Sequence, residues 1–246
     1  MRPLTQLVME TSVNFFDRHP RFYETTGTKL KPNRFVQRYQ AIIHMNKEAF
    51  LGARVLDLAS HDGRWSMAAL DAGAQYIEGV EGRLELVARS FETFKHYEVP
   101  CEKYKFVWGD AVEHLRTLQR GSFDIVMCLG FFYHTMHHME IIERLAATGA
   151  AMMIIDTAVD PSSAPLIRMK TEDVADSRNA VHRHSSQNPL VPVGSPSRSA
   201  IEMMLEYVGY SMKEINWTEI VTDWSECEDY QANLRGTFVA NRLTLT

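Results

Sequence analysis

Short apolar runs alternate with amphipathic segments through the middle of the chain, and this alternation predicts most of the secondary structure. The apolar runs predict five β-strands, over residues 54–58, 74–81, 104–108, 123–129 and 151–157. The intervening segments carry apolar side chains at helical spacing and predict helices over residues 65–72, 84–97, 111–118 and 136–147. The fourth and fifth runs are mostly apolar, as is typical of strands covered on both faces. This alternation favours an α/β fold with a parallel sheet.

The rest of the chain predicts a closing strand pair. Residues 161–199 contain five prolines and many serine, histidine and arginine residues, so this segment is not regular structure throughout. Residues 199–208 then predict a helix capped by Ser197 or Ser199, followed by strands over residues 209–217 and 236–244. The predicted fold class is a Rossmann-like, doubly wound, seven-stranded sheet with an antiparallel last strand.

Length and composition fit one domain with appendages. The chain has 246 residues, of which 45% are hydrophobic, enough for one sizeable core. We expect one main domain over residues 34–246 with a lid insertion at about 159–199, preceded by an N-terminal cap over residues 1–33. The aromatics of that cap form either a wall of the substrate pocket or, as we favour, plain packing; they are Phe15, Phe16, Phe22 and Tyr23.

Charge and cysteine usage narrow the location and the partners. The net charge of −5 argues against a general nucleic-acid or membrane surface, although residues 161–199 hold basic side chains. The three cysteines are widely separated, as in reduced intracellular proteins. The first ten residues do not resemble a signal peptide, and no apolar run reaches membrane-spanning length, so we expect a cytoplasmic protein.

The turn after the first strand is the strongest candidate binding element. Asp57 lies in an apolar strand that leads into the small, polar segment Ala59-Ser60-His61-Asp62-Gly63, with Trp65 in the following helix. Open α/β sheets bind ligands at the carboxyl ends of their strands, and small residues let a ligand approach the backbone. The alternative interpretation is an ordinary strand-to-helix turn.

Two further acids follow the second and third strands. Glu81 ends strand two, where a carboxylate can accept hydrogen bonds from both hydroxyls of a ribose, although a surface acid is the alternative. Asp110 follows strand three within Trp108-Gly109-Asp110-Ala111, where it either contacts an adenine amino group or caps the next helix. Acids at three successive strand ends indicate a nucleotide-like ligand more specifically than any one of them does alone.

Over roughly residues 34–246 the sequence resembles the class I S-adenosylmethionine-dependent methyltransferases. Their first motif has an acid followed by glycines two and six positions later, places that Asp57, Ala59 and Gly63 occupy here, so Ala59 departs from it. NAD-dependent oxidoreductases share a related turn but lack the antiparallel terminal pair. The resemblance implies S-adenosylmethionine as cofactor and S-adenosylhomocysteine (SAH) as product. The cofactor-binding residues it implies are Asp57, Ala59, Ser60, Gly63, Trp65, Glu81, Gly109, Asp110, Ala111, Leu129 and His134.

The residues after strand four predict the reacting end of the site. Residues 129–134, Leu-Gly-Phe-Phe-Tyr-His, resemble the Gly-x-x-Tyr-His segment of a subgroup that includes tRNA wobble-uridine carboxymethyltransferases and several small-molecule and sugar methyltransferases. A hydroxyl acceptor needs a base, and histidine suits that role near neutral pH. The candidate catalytic residues are His134, Tyr133 and Asp156. The alternative for His134 is a contact with the methionine end of the cofactor or with a neighbouring loop.

A metal site is not expected. His134 and His138 share helical spacing, but no cysteine or Glu of a zinc motif completes a ligand set. Asp156 is a second candidate base or an Mg²⁺ ligand, and one carboxylate is too little for a site, so Mg²⁺ stays an unproven alternative. The other alternative for Asp156 is the cap of a following turn.

These features predict O-methylation of a sugar or oligosaccharide hydroxyl. The turn at residues 59–65 together with Tyr133-His134 is similar to actinobacterial sugar O-methyltransferases, including those that act on methylmannose polysaccharide precursors, which implies a role in polysaccharide biosynthesis. The expected partner is a small-molecule or oligosaccharide acceptor, with neither nucleic acid nor membrane, and a homodimer is left open. The alternatives are tRNA modification of the wobble-uridine type, O- or N-methylation of a small natural product, and an inactive cofactor-binding module.

Overall fold

The seven-stranded sheet predicted from the sequence is present in the computed structural model, which describes residues 14–24, 31–176, 179, 188–221 and 223–243. The sheet has the strand order β3-β2-β1-β4-β5-β9-β8, and β9 runs antiparallel to both of its neighbours. Its strands are β1 Arg54–Leu58, β2 Tyr76–Glu81, β3 Tyr104–Trp108, β4 Ile125–Leu129, β5 Met152–Ala158, β8 Tyr210–Glu214 and β9 Arg235–Arg242. The predicted fold class is therefore confirmed.

Helices cover both faces of this sheet. They are α1 Phe15–Arg18, α2 Arg21–Glu24, α3 Pro32–Ile42, α4 Lys47–Phe50, α5 Arg64–Asp71, α6 Leu84–His96, α7 Ala111–Thr117, α8 His138–Ala147, α9 Arg198–Tyr207 and α10 Glu228–Gln231. Along β1, Val55 packs with α3, α5 and α6, whereas Leu56 and Leu58 pack with α7, α8 and α9. This alternation follows from the two-residue period of a strand, and it builds one apolar core on each face.

The predicted boundaries agree closely with the structure in most of the sheet. Strands β1 and β3 have the predicted limits, and Ser197 caps α9 by accepting a hydrogen bond from the Ala200 N–H. Before β1, a 3₁₀ turn, His44–Asn46, lies between α3 and α4. No helix among the described residues is long and apolar enough to cross a membrane.

The segment predicted as a lid contains regular structure that the sequence pattern did not reveal. Strands β6 (Ile167–Asp173) and β7 (Leu190–Pro196) form a separate two-stranded antiparallel sheet. Pro192 and Pro196 lie within β7, where prolines are tolerated because each strand of a two-stranded sheet keeps an unpaired edge. These prolines are the reason that the segment was predicted as irregular.

The N-terminal aromatics are packing residues in this structure. Phe15, Phe16 and Phe22 are each at most 1% exposed and belong to the core on the α5 side of the sheet. Tyr23 packs against the same cluster while remaining partly exposed. Of the proposed cap, residues 1–13 and 25–30 lie outside the described residues.

Candidate active site

The turn between β1 and α5 has a left-handed backbone at three positions. Ala59, His61 and Gly63 have φ values of 58°, 55° and 77°. Ala59 thus adopts the conformation that glycine favours, at a cost of about 1–2 kcal/mol for a residue with a Cβ. Gly63 is required by packing as well, since an added Cβ would lie 2.9 Å from the Phe106 ring. The turn keeps a glycine-like shape despite the departure at Ala59.

The acid at the end of β2 is tied to this turn. Glu81 is buried, and its carboxylate accepts hydrogen bonds from the His61 N–H at 2.9 Å and the Arg83 N–H at 3.0 Å. The Gly109 N–H donates to the Glu81 carbonyl at 3.1 Å, which brings the segment after β3 alongside. Asp110 caps α7 by accepting from the Glu113 N–H at 2.7 Å. The structure therefore brings the turn, Glu81 and Asp110 together along one edge of the sheet.

Asp57 lies beneath this edge in an apolar setting. Its carboxylate is 1% exposed and accepts a hydrogen bond from the Ser66 hydroxyl at 2.6 Å. Burial raises the pKa of Asp57 to about 7, and the nearby Glu81 and Asp62 carboxylates add to that rise against the opposing effect of Ser66. The Asp57 side chain therefore changes charge close to neutral pH.

Replacing Asp57 with asparagine is expected to remove a pH-dependent loss of stability. Because the pKa of Asp57 is higher in the folded chain, wild-type stability falls as pH rises from about 4 to about 7, by about 1.4 kcal/mol per pH unit at most. Urea unfolding of Asp57→Asn at pH 5, 6, 7 and 8 should show a shallower decline than wild type. The exposed Glu92→Gln is the control, and curves for Asp57→Asn that parallel wild type would contradict the assignment.

An ion pair between Asp62 and Arg64 lies within the turn, and Arg64 also contacts helix α3. Arg64 donates through Nε and Nη2 to the two carboxylate oxygens of Asp62, at 2.7 Å each, and its guanidinium lies 4.8 Å from the Phe35 ring of α3. Burial acts to raise the pKa of Asp62, but Arg64 and His61 outweigh it and hold that pKa well below its usual range. The unusual His61-Asp62 sequence thus has a structural partner in Arg64.

The structure places Trp65 in the core on the α5 side of the sheet. Its side chain is 4% exposed and packs edge-on against Phe16, with ring centroids 5.7 Å apart. The Arg38 guanidinium covers it at 5.0 Å from the ring centroid. Trp65 therefore packs in the core between α5 and the N-terminal segment, and its contact with a cofactor stays a prediction.

His134 has a carboxylate partner that the sequence did not reveal. The ring is buried, and Nδ1 lies 2.5 Å from Oε2 of Glu172 on β6, while Lys170 Nζ lies 2.7 Å from the other oxygen. Burial acts to raise the pKa of Glu172, but hydrogen bonds from His134 and Lys170 outweigh it and hold that pKa below its usual value. Glu172 is therefore a charged acceptor, and in the neutral imidazole this places the proton on Nδ1 and leaves Nε2 as the acceptor nitrogen.

Tyr133 lies between this pair and a second cation. Its ring centroid is 4.0 Å from that of His134, 5.4 Å from Lys170 Nζ and 5.5 Å from Arg235 Cζ. Cations at this distance from an aromatic ring are held by its quadrupole. Tyr133 is partly exposed, so it offers an aromatic surface beside the histidine.

The structure contradicts the prediction that Asp156 is a base or an Mg²⁺ ligand. Asp156 is fully buried within β5 rather than capping a turn, and Tyr230 and Thr237 donate to its Oδ2 at 2.6 and 2.7 Å. Arg38 Nη2 and Arg235 Nε donate to Oδ1 at 3.0 and 2.8 Å. Burial acts to raise the pKa of Asp156, but the two arginines outweigh it and keep that pKa well below its usual range. Both oxygens are therefore engaged, and the residues around them do not fit a cation.

His138 is also separate from His134. It is 1% exposed and its Nε2 lies 2.8 Å from the Gly194 carbonyl of β7, so it holds the hairpin to α8. Over the described ranges of the chain, no group of three or more histidine, cysteine, aspartate or glutamate side chains is arranged to hold a metal ion.

A pocket of about 410 Å³ connects two of the predicted site residues. Asp110 and His134 both line it, together with Phe131, Met136 and Val191. Val191 belongs to β7, so the inserted hairpin forms part of the wall. The pocket volume is within the range of small-molecule sites, about 300–1,000 Å³.

No protein-family model matches this chain, and no curated protein matches it. Solved structures do. The N-terminal domain of EvdMO1, solved in the presence of SAH and D-fucose, is 20% identical, with 82% of this chain and 81% of that chain aligned at a TM-score of 0.59. An S-adenosylmethionine-dependent methyltransferase from Mesorhizobium loti is 15% identical over 79% of this chain and 93% of that chain, at 0.55. This chain has the class I methyltransferase fold.

The same comparison shows that the fold does not determine the reaction. The cyclase SpnF is 10% identical over 87% of this chain and 82% of that chain, at a TM-score of 0.56. One fold thus carries methyl transfer and cyclisation, so the function has to be argued from the site.

Proposed function

We propose that this chain is an S-adenosylmethionine-dependent methyltransferase that O-methylates a hydroxyl of a sugar or oligosaccharide. The observation that carries the proposal is the pair formed by His134 and Glu172 after β4, in a pocket that Asp110 also lines, at the same edge of the sheet as Glu81. A histidine oriented by a carboxylate is the arrangement that proton transfer from a hydroxyl requires.

The residues at the ends of β1, β2 and β3 fit the cofactor. Two backbone N–H groups hold the Glu81 carboxylate in place at the end of β2. A carboxylate fixed there can also accept hydrogen bonds from ribose hydroxyls. The turn has a left-handed backbone at Ala59, and Gly109 has open space where a Cβ would lie. We assign Asp57, Ser60, Gly63, Ala111 and Leu129 as supporting residues of the same edge. Bound there, the cofactor would supply a methyl group activated by a sulfonium.

The chain's own groups would align the acceptor and take its proton. Nε2 of His134 would accept the hydroxyl proton, while Glu172 keeps the ring in the required tautomer and Lys170 holds Glu172 in place. Tyr133 provides an aromatic face against which the apolar side of a sugar ring can stack. The N-terminal domain of EvdMO1, which has a similar fold, was solved in the presence of SAH and D-fucose, and this supports a sugar acceptor by analogy.

The structure offers little support for a tRNA acceptor. Three basic residues of the segment 161–199 lie in its described part, and each is paired with an acid. The pairs are Arg168–Asp160, Lys170–Glu172 and Arg198–Glu214. Paired cations contribute less to phosphate binding than free ones. The other basic residues of the segment 161–199 lie outside the described residues; they are Arg178, His182, Arg183 and His184.

Calorimetry with SAH tests the cofactor half of the proposal. We expect wild type to bind SAH and Glu81→Ala to bind about 10- to 100-fold more weakly, because charge-assisted hydrogen bonds to the ribose are lost. Glu81→Gln, which keeps one acceptor oxygen, should lie between them, and the exposed Glu92→Ala should match wild type. If wild type releases or absorbs no heat on addition of SAH, the proposed function is wrong.

A turnover screen tests the acceptor half. Wild type is incubated with S-adenosylmethionine and a panel of sugars, small natural products or bulk tRNA at low salt, and SAH release is measured. We expect release with sugars and none with tRNA. Release that requires tRNA or a natural product would replace the sugar assignment, and no release with any acceptor despite SAH binding would favour an inactive binding module.

A further inference from the structure

A second pocket lies at the same edge of the sheet as the candidate active site. We call it the β8–β9 pocket; it has a volume of about 520 Å³, and its lining includes Glu214, Trp217, Trp224, Tyr230, Gln231 and Arg235. Glu214 ends β8 and Arg235 begins β9, opposite Ala158 at the end of β5. In the order of the sheet, β9 and β5 lie between β8 and β4, the strand that His134 follows.

Arg235 borders both the pocket and the reacting end of the site. Arg235 is one of the residues that line the pocket, and its Cζ lies 5.5 Å from the Tyr133 ring centroid. Its Nη2 would lie 3.4 Å from a Cβ added to Gly130, so the guanidinium packs close to the backbone that follows β4. Arg235 is thus shared by the surroundings of Tyr133 and by the β8–β9 pocket.

The aromatic residues of the pocket are fixed in place. Trp217 and Tyr230 stack with centroids 3.6 Å apart and an interplanar angle of 21°. Trp217 Nε1 donates to Thr237 Oγ1 at 3.2 Å, and the Tyr230 hydroxyl donates to Asp156 at 2.6 Å. Because their polar atoms are engaged, these rings present apolar surface to the pocket. Trp224 packs against the same cluster and is partly exposed.

The charges along the pocket are balanced. Arg198 Nε donates to both carboxylate oxygens of Glu214, at 3.0 and 2.9 Å, and Arg235 is paired with the buried Asp156. A phosphate or carboxylate ligand would have to compete with these partners. Gln231 is exposed at the rim and carries an uncharged group that both donates and accepts. Aromatic faces with uncharged polar groups suit a neutral, hydroxyl-rich ring.

We propose that the β8–β9 pocket binds a second sugar ring of the acceptor, so that the substrate is a glycoside or oligosaccharide rather than a free monosaccharide. This inference rests on the proposed function, because it assumes that a sugar hydroxyl is placed at His134. The pocket would select acceptors by chain length, while the His134–Glu172 pair acts on the ring being methylated.

A glycan array tests the proposal. The labelled full chain, saturated with SAH, is applied to immobilised monosaccharides, disaccharides and trisaccharides that share the same terminal sugars. We expect at least one disaccharide or trisaccharide to bind about tenfold more tightly than its terminal monosaccharide, as for one aromatic contact in a buried site. Trp224→Ala should abolish that gain, Gln231→Ala should reduce it, and Trp224→Phe should retain most of it.

The control variant is Tyr207→Ala, which removes an aromatic side chain that is 75% exposed at the far end of α9 and should bind glycans as wild type does. SAH calorimetry on every variant shows that each is folded. Equal binding of monosaccharides and oligosaccharides, no glycan binding by the SAH complex, or an unchanged gain in both Trp224→Ala and Gln231→Ala would overturn the second subsite. Loss of SAH binding by wild type would instead overturn the proposed function.

Discussion

Replacing His134 with glutamine is expected to lower kcat by about 10²- to 10⁴-fold, the usual contribution of a positioned general base. Glutamine fills a similar space but cannot take a proton from the acceptor. SAH affinity should stay at the wild-type value, because the predicted role of His134 is toward the acceptor. The measurements are SAH release with the acceptor identified by the screen and SAH calorimetry on the same preparation.

Glu172→Gln distinguishes the pair from an isolated histidine. The amide can present its N–H₂ to Nδ1 and favour the wrong tautomer, so we expect kcat to fall by about 10- to 100-fold while KM for the acceptor changes little. Glu172→Asp keeps the charge and should recover part of the loss in kcat. If the role of Glu172 is purely structural, Glu172→Gln should also lower the urea unfolding midpoint. His96→Gln, at the exposed end of α6, is the matched control.

The alternative role of His134 gives a different result. If His134 contacts the methionine end of the cofactor, His134→Gln weakens SAH binding by as much as it lowers kcat/KM. If it contacts only a loop, both quantities remain at wild-type values.

Local signals explain why the sheet was predictable from the sequence. Strands β1 and β3 are apolar runs bounded by turn residues. Glu81 is the last residue of β2 and Asp110 follows β3 after Gly109, so the positions of the strand ends identified both acids. The β6–β7 hairpin was missed because prolines interrupt β7 and because β6 is exposed at every position except Glu172. A strand with so little buried surface leaves no period-two pattern in its sequence.

Partners that are distant in the chain could not be predicted in this way. Glu172 is 38 residues from His134, and only the docking of the hairpin onto α8 brings them together. Position alone was misleading for Asp156, which was assigned a chemical role because it lies near the carboxyl end of the fifth predicted strand. Its partners come from α3, α10 and β9, and no local pattern reports that they converge.

The network around Asp156 leads to the largest expected effect on stability. Asp156→Asn is expected to lower the free energy of unfolding by about 3–5 kcal/mol at pH 7, the usual result of leaving a buried charge without its partner. Here the charges left behind are Arg235, which is 7% exposed, and Arg38, whose side chain is 12% exposed. The double variant Asp156→Asn/Arg235→Met should recover part of the loss, since it removes the buried cation as well.

Urea unfolding of the single and double variants measures this effect, and its pH dependence adds an independent check. Because the pKa of Asp156 is depressed in the folded chain, the stability it contributes is present above the unfolded value of about 4 and is lost as pH falls below it. The gap between wild type and Asp156→Asn should therefore narrow under acid conditions. Asp71→Asn, which removes the exposed partner of Arg18, is the control and should cost at most about 1 kcal/mol. If Asp156→Asn also cost no more than about 1 kcal/mol, the buried arginines would not depend on Asp156 for their stability.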